Sequence, residues 1–516
     1  TTVLPPPPAS GRNGAARPEP APPEATSEAS SFQMASMGRH SLIYAAGMVL
    51  TKAIAFLMLP VYTRLLTPAD YGVLQLVTMF LEVLSIFAGS RIAYGIFHFY
   101  HKAADEDAKR TVLSTAMVLL TATFGMAAVA TLLLAPNIAT LVFGQTGQNV
   151  TYIRLAAMSM AFESLIVVPN ALFQLQQKSI HFVSFSLLRL GLQLGLNLLL
   201  LIVFDMGVTG VLLSGLIGNL LVGGFLAIRV LTKVHLQFNW PDARAFLRFG
   251  LPLVAMQIAT FTFTFGDRYF LNKAGDTTAV GLYGLAYQFG FLVGMIGYMP
   301  LEMVWDPQRF AIAKRPDRDA IYSRVLILFN VTLITTAVGI SLFVGDVLHL
   351  IAAPAFQGAA VFVPLIVGAY IFQAWGTFFN IGIMITERTH LYTIANWAAA
   401  AVAMIGYFLL IPKYLAWGAS LTIIASLGTR FWLTYIFSQR LWRIRYRWLP
   451  VIRLLVLAAA FVVGAFFTPR LSIAPSLIVH TALFSIYAFM VWQFILAEQD
   501  RAAAKVVFAR ARAFLE

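Results

Sequence analysis

The chain has 516 residues, of which 59% are hydrophobic and 11% are charged, and it contains no cysteine. Soluble domains carry about 25% charged residues, so this composition predicts a protein embedded in lipid. The lack of cysteine excludes disulfides, thiolate catalysis, Cys-ligated zinc and iron–sulfur clusters. The net charge of +14 raises the question of a nucleic-acid partner, which depends on where the basic residues lie.

The first 37 residues differ in composition from the rest of the chain. Four prolines stand in a row from Pro5 to Pro8, and the remainder is mostly Ala, Ser, Glu and Gly with further prolines. A segment of this kind cannot bury enough apolar surface to offset the entropy of folding. Residues 1–37 are therefore predicted to form a disordered extension on the cytoplasmic side.

The rest of the chain predicts an all-α polytopic membrane protein with fourteen spans. Each apolar segment has about 20 residues, enough to cross a hydrocarbon core of about 30 Å. The segments are uniformly apolar rather than alternating, which predicts helices and not barrel strands. The predicted spans are 41–63, 72–97, 112–134, 152–174, 182–204, 208–228, 249–271, 279–304, 325–345, 360–385, 391–411, 416–438, 450–468 and 474–497.

The basic residues fall mainly on one side of these spans. The loops of that side, together with the two chain ends, hold 26 of the 36 Lys and Arg residues. The opposite loops hold five, namely Arg64, Arg268, Lys273, Lys413 and Arg470. Cytoplasmic loops are enriched in Lys and Arg, so both termini are predicted to be cytoplasmic. The nucleic-acid interpretation is dropped, because the positive charge follows the topology and suits contact with anionic lipid.

Two pairs of segments repeat at a spacing of about 210 residues. YTRLLTPADYGVLQLV at 62–77 resembles GDRYFLNKAGDTTAVGLYGLAY at 266–287, and PNALFQLQQKSIHF at 169–182 resembles FNIGIMITERTHLY at 379–392. An even number of spans separates the copies, so they are predicted to share one orientation about a pseudo-twofold axis along the membrane normal. The predicted parts are a six-helix bundle at 38–232, a second at 233–440, two extra helices at 441–497 and a cytoplasmic tail at 498–516.

With these features the chain resembles the polysaccharide-exporter branch of the multidrug/oligosaccharidyl-lipid/polysaccharide (MOP) flippase superfamily. The resemblance covers about residues 38–497 and rests on LPVYTRLLTPADYG, on DRYFLNKAGDTTAVGLYGLAY and on the plan of two bundles plus two helices. It implies that spans 1, 2, 7 and 8 line a central cavity. It also implies a bent first span, which suits Pro60 because proline removes a helix hydrogen bond.

The same resemblance implies a function in the bacterial inner membrane. Such proteins flip polyprenyl-diphosphate-linked oligosaccharides from the cytoplasmic to the periplasmic leaflet, for surface glycans such as exopolysaccharide, capsule or the O-antigen of lipopolysaccharide. The expected partners are that lipid-linked glycan, membrane lipids and glycan-assembly proteins. The expected mechanism is rocking of the two halves around a cationic cavity.

Ionisable residues within the spans are the first candidates for function, since a charge in the bilayer costs on the order of 2.5–3.5 kcal/mol on insertion scales. Arg91, Tyr94 and His98 are predicted to share one face of the second span, where an arginine can bind a diphosphate. Alternatively, Arg91 pairs with an acid and holds the two halves together. The repeat places Arg91 beside the position that matches Glu302. We hypothesise that these two residues pair in the empty cavity and that the diphosphate competes for Arg91.

The remaining charged residues each fit two interpretations. Arg64 and Arg268, with Asp267, are expected at the periplasmic ends of two spans. They act there either as an exit-side guide for the head group or a gate, or as interfacial arginines that reach the membrane surface. A second group either lines a portal or pairs between helices: Glu82, Arg154, Glu163 and Arg189.

No cofactor is expected. His98 and His101 have a spacing that could suit a metal, but they lack a third ligand. The sequence contains no nucleotide-binding loop and no nucleophile elbow, so a transporter is favoured over an enzyme. Coupling to a gradient of Na⁺ or H⁺ stays open.

Two alternatives to the flippase remain. A cation-coupled multidrug exporter of the same superfamily would have a cavity dominated by Asp and Glu. A membrane polymerase or ligase of surface glycans would usually carry its catalytic residues in a large periplasmic loop, whereas the longest loops here have about 20 residues.

Overall fold

The computed structural model describes residues 47, 50, 56–234, 236–467 and 472–502. The regular secondary structure of this part of the chain is helical, with turns and short loops between the helices, and these residues contain no strand. The predicted extension at 1–37, most of the first predicted span and the end of the tail lie outside the described residues.

The α-helices follow the predicted spans closely in position. In chain order they are α1 Leu59–Leu65, α2 Pro68–Phe87, α3 Tyr94–Lys102, α4 Glu106–Leu133, α5 Ala135–Phe143, α6 Gln148–Leu175, α7 Ser179–Leu198, α8 Gly207–Val234, α9 Trp240–Ala274, α10 Thr277–Leu292, α11 Met299–Ile312, α12 Arg318–Ile351, α13 Val363–Phe378, α14 Ile381–Ile385, α15 His390–Leu409, α16 Ile411–Leu441, α17 Trp448–Phe466 and α18 Ile473–Phe494.

Twelve helical segments of the described chain are long and apolar enough to cross a membrane. They correspond to all of the predicted spans except the first and the twelfth. The first lies mostly outside the described residues. The twelfth, at 416–438, lies within α16, which is helical and carries Lys413, Arg430 and Arg440. The count of fourteen and the twofold arrangement therefore stay predictions.

Several predicted spans are interrupted rather than continuous α-helices, among them the second, the fifth and the eighth. In the second span, α2 ends before Gly89, whose φ of 95° is left-handed, and a 3-10 turn at Ser90–Ala93 leads into α3. Glycine adopts this conformation without a Cβ clash. In the fifth span, α7 continues as a π-helical turn at Leu199–Val203, and in the eighth, a π-helical segment at Val293–Tyr298 joins α10 to α11. Each interruption changes which face the following residues occupy.

Helices α2 and α10 cross in direct backbone contact. A Cβ built on Gly72 would overlap the carbonyl oxygen of Thr277, and a Cβ built on Gly281 would overlap that of Pro68. Only glycine permits two helix backbones to approach so closely. The crossing therefore depends on the missing side chains at Gly72 and Gly281.

The N-caps of α2 and α10 show which residues of the two helices correspond at this crossing. Thr67 caps α2 and Asp276 caps α10, and each side chain accepts a hydrogen bond from the backbone N–H three residues later. Counted from these caps, Gly72 corresponds to Gly281, whereas the repeated Tyr-Gly pairs aligned Gly72 with Gly284. Gly72 and Gly281 are also the two glycines in contact, so the contacts on the two helices are reciprocal.

The two extra helices, α17 and α18, pack against α12. Most of this contact is formed by an apolar cluster that is distinct from the largest core cluster. It contains Ile334, Val338 and Leu342 of α12, Leu454 and Ala458 of α17, and Tyr487 and Val491 of α18.

Candidate functional site

A cavity of about 610 Å³ lies at the centre of the helices. Side chains of α1, α2, α9 and α10 line it, as the resemblance implied for spans 1, 2, 7 and 8, and α13 adds Tyr370 and Gln373. Arg268 and Glu82 are the charged residues of the described chain that line this cavity. We call it the central cavity.

Arg268 forms a buried ion pair at the wall of the central cavity. Its exposed fraction is 3%, and that of the adjacent Asp267 is 0%. Nη1 of Arg268 lies 3.0 Å from Oδ1 of Asp267, and the hydroxyl of Tyr283 donates a 2.6 Å hydrogen bond to Oδ2. Both oxygens of the carboxylate are therefore occupied, which compensates the cost of burying the charge.

Aromatic rings fix the direction of the Arg268 guanidinium. Its Cζ lies 5.0 Å from the ring centre of Phe265 and 4.7 Å from that of Tyr287. Nη1 also donates to the carbonyl of Thr264, and Nε donates to Oε1 of Gln75 at 3.4 Å. Within the described residues, no hydrogen bond is assigned to Nη2. This amino group is thus the donor that a ligand in the cavity can use.

The rest of the wall combines apolar side chains with polar ones that are mostly uncharged. Tyr71, Tyr287 and Tyr370 contribute rings and hydroxyls, and Gln75 and Gln288 contribute amides. Amides and hydroxyls both donate and accept hydrogen bonds, and aromatic faces pack against apolar faces of a ligand. These groups suit a ligand rich in hydroxyl groups.

The central cavity is closed at the end where α2 and α10 begin, which is the predicted periplasmic side. The backbone contact between Gly72 and Gly281 lies at this end. Beside it, the ring of Tyr71 packs edge-on against that of Phe356 with centroids 6.0 Å apart. The crossing and this ring pair together form what we call the seal.

The two repeated arginines have different surroundings. Arg64 is exposed, lies next to the last residue of α1 and donates to the carbonyl of Leu350 at 3.3 Å. Arg268 is not at a helix end, because α9 continues to Ala274, which places Arg268 about 9 Å inside it. The interpretation of Arg268 as an interfacial arginine is therefore wrong, while Arg64 is accessible as either interpretation requires.

Arg91, Tyr94 and His98 do not form one continuous helical face. The break at Gly89 turns Arg91 so that its Nη1 donates to the hydroxyl of Tyr94 at 3.0 Å. The ring of His98 stacks on Phe249 of α9, with centroids 5.5 Å apart. Tyr94 is 53% exposed, so the Arg91–Tyr94 pair stays accessible to a ligand.

Arg91 and Glu302 form no ion pair within the described chain, so the structure does not support their pairing in the empty cavity. Glu302 lies beside Tyr298, Trp305 and Asp306 in a small separate cavity. The reason is local: the break at Gly89 and the π-helical segment before α11 change the register of both residues relative to the repeat.

The charged residues predicted to line a portal or to pair between helices have different surroundings in the structure. Glu163 of α6 and Arg189 of α7 form an ion pair of 3.5 Å, as the pairing interpretation expected. Arg189 also lines a cavity of about 250 Å³, with Asn170 and Gln193, so both interpretations apply to it. Arg154 is exposed. The structure places the fourth member, Glu82, at the central cavity.

The tyrosines and glutamines of the central cavity were not predicted from the sequence. The signal that could have indicated them is the presence of neutral polar residues within apolar spans, namely Gln75, Gln288 and Gln373. In the part of the chain that the structure describes, no group of three or more His, Asp or Glu residues could hold a metal ion.

The comparisons with known proteins concern the family and the fold. Residues 37–308 match the sequence profile of the family described as "Polysaccharide biosynthesis protein". The fold is similar to the lipid II flippase MurJ in an inward closed conformation, with a TM-score of 0.67, 11% identity and coverage of 88% of this chain and 99% of that one. It is also similar to an inward-facing multidrug resistance MATE transporter of the MOP superfamily, with a TM-score of 0.58, 15% identity and coverage of 78% and 97%.

No curated protein matches the chain in sequence. The family profile covers more than half of the 516 residues. The two structural similarities extend the fold over most of the remainder. The chain is therefore a member of the polysaccharide biosynthesis protein family and has the fold of the MOP flippase superfamily.

Proposed function

We propose that this protein is a flippase that moves a polyprenyl-diphosphate-linked oligosaccharide from the cytoplasmic to the periplasmic leaflet. The observation that carries the proposal is Arg268, a buried guanidinium at the wall of the central cavity with one amino group open to a ligand. Phosphate oxygens are strong acceptors for such a donor. The family and the fold support a transporter of this class.

Asp267 moderates the strength of the proposed contact between Arg268 and the diphosphate. A guanidinium without a partner in apolar surroundings would hold an anion very tightly, whereas a transporter must also release its substrate. Because Asp267 already neutralises Arg268, the diphosphate gains hydrogen bonds without finding a full uncompensated charge. The tyrosines and glutamines of the wall bind the hydroxyl groups of the sugar.

The substrate enters from the cytoplasmic side and leaves when the seal opens. In this proposal fourteen spans form two bundles with a pseudo-twofold relation, plus two extra helices, in the bacterial inner membrane with both termini cytoplasmic. The accessible pair of Arg91 and Tyr94 is the first contact for the diphosphate, and Arg64 guides it after the seal opens. Rocking of the bundles about the central cavity needs no covalent chemistry.

The proposal is tested with purified protein in liposomes that contain a fluorescent polyprenyl-diphosphate oligosaccharide. The measurement is the fraction of this lipid that becomes accessible to a membrane-impermeant reagent with time. The wild type is expected to raise that fraction, and the doubly substituted D267N/R268Q protein is expected not to. If the wild type moved a cationic dye but not the glycan lipid, the protein would instead be a drug exporter.

A further inference from the structure

A second cavity, of about 620 Å³, lies apart from the central cavity between α12 and the two extra helices. Its polar residues come from α12 and from the N-cap and first turns of α18: Ser341, Asp346, His349, Ser472, Ser476 and His480. The residues that α13 and α17 contribute, such as Pro364 and Phe466, are apolar. The cavity lies at the end of these helices that is predicted to be periplasmic.

Asp346 binds both polar side chains of α18 that face it. Nδ1 of His480 lies 2.5 Å from Oδ2 of Asp346, and the hydroxyl of Ser476 donates to Oδ1 at 2.5 Å. The side chain of Asp346 is 6% exposed and that of His480 is 14% exposed. The carboxylate of α12 is thus buried, and among the described residues its side-chain partners both belong to α18.

This arrangement makes the proton on His480 important for the local charge. With the proton, the imidazolium and the carboxylate form a neutral pair. Without it, Asp346 is a buried carboxylate in apolar surroundings with no positive partner, which is unfavourable. Among the described residues that line this cavity, His349 is the other titratable group.

The site lies at one end of the contact between α12 and α18. The apolar cluster around Val338 and Tyr487 lies in the middle of this contact. At the opposite end, Arg324 of α12 forms an ion pair of 2.5 Å with Asp500, just beyond α18. Histidine titrates near neutral pH and arginine does not, so a change of pH acts on only one of these two ion pairs.

We propose that Asp346 and His480 form a proton-binding site whose occupancy controls the packing of α18 against α12. While the proton is bound, the neutral pair holds the start of α18 on α12. When the proton leaves through the cavity, water must hydrate the carboxylate, and the start of α18 moves away from α12. This inference does not depend on which substrate the protein carries.

The first test is thermal unfolding of the full-length protein in lipid nanodiscs, from about pH 5.5 to about pH 8.5. Because the pair is stabilising only while His480 carries its proton, the Tm of the wild type is expected to fall as the pH rises. Asp346→Asn and His480→Gln are each expected to remove most of that fall.

Two controls make this test specific. Arg324→Gln breaks the other ion pair, so it is expected to lower the Tm at every pH and to leave the fall intact. His349→Gln keeps the Asp346–His480 pair and is also expected to leave the fall intact. If His349→Gln abolished the fall while His480→Gln preserved it, the proposed site would be wrong.

The second test measures the movement directly and keeps Asp346 and His480 unchanged, so it does not depend on whether the Asp346 and His480 variants fold. The chain has no cysteine, so Leu350→Cys and Ile478→Cys can carry spin labels without background labelling. Both positions are exposed, at 63% and 70%. The distance between the labels is expected to increase or to broaden from about pH 5.5 to about pH 8.5. The same distance distribution at both pH values would overturn the proposal.

Discussion

The segments around Arg64 and Arg268 are similar in sequence but place their arginines in opposite surroundings. Arg64 lies at the end of a short helix and is exposed. Arg268 lies well inside the long helix α9, is 3% exposed and is paired with Asp267. Only the second of these arginines lines the central cavity.

The difference shows that the surroundings of each arginine depend on its distance from the end of its helix. Counted from the N-caps Thr67 and Asp276, Arg64 corresponds to Lys273 rather than to Arg268. Lys273 is exposed, as Arg64 is. Two segments can therefore look alike along the chain while their charged residues lie at different distances from the helix end.

The largest expected effect comes from removing the cavity arginine. Arg268→Gln leaves Asp267 buried without its partner, so the free energy of unfolding is expected to fall by about 3–5 kcal/mol. The lost donor is expected to reduce flipping at least about tenfold in the liposome assay. Arg64→Gln, at the exposed position, is expected to change flipping by less than about twofold.

A doubly substituted protein separates stability from transport at this site. D267N/R268Q removes both charges, so most of the lost stability is expected to return. Flipping is expected to stay low, because the donor to the diphosphate is still missing. Normal flipping by the double variant would show that Arg268 holds the fold and does not contact the substrate.

The seal is expected to give an intermediate effect. Gly72→Ala places a methyl group against the carbonyl of Thr277, so the helices must move apart and the free energy of unfolding is expected to fall by about 1–3 kcal/mol. Gly281→Ala is expected to behave in the same way because the contact is reciprocal. The measurement is the Tm of each purified variant.

A matched control exists for this pair. A Cβ on Gly125, within α4, would meet nothing within 4 Å. Gly125→Ala is therefore expected to be neutral or to stabilise the protein by up to about 1 kcal/mol. Equal losses of Tm from Gly125→Ala and Gly72→Ala would contradict the role of the crossing.

The smallest effects are expected at the partly exposed Arg91. Arg91→Gln removes the donor to Tyr94 and is expected to weaken substrate binding only about two- to threefold, as for other exposed charges. Glu302→Gln is expected to leave the affinity unchanged, because Glu302 forms no ion pair with Arg91 in the described structure. Titration of a diphosphate lipid analogue measures both, and a large loss in Glu302→Gln would restore the pairing hypothesis.

Much of the helical architecture could be predicted from the sequence. Long apolar segments require helices in lipid, and this requirement does not depend on tertiary contacts. For this reason α4, α6, α12 and α18 appear close to the predicted spans.

The details of the site depended on features that hydropathy does not report. A running average of hydropathy does not register a single residue such as Gly89. A Gly-Ser pair inside a span is nevertheless a known cause of helix breaks. The π-helical segment at Val293–Tyr298 has no comparable mark in the sequence. Burial of Arg268 was also hidden, because an apolar segment does not indicate which of its faces meets other helices.

The crossing at Gly72 and Gly281 has a consequence for how the cavity opens. No side chain at these two positions interlocks with the opposite helix, so the two backbones can separate without any change of rotamer there. The resistance to opening must then come from the neighbouring side chains, above all the ring contact between Tyr71 and Phe356. We therefore expect these rings, rather than the glycines, to set how readily the cavity opens at this end.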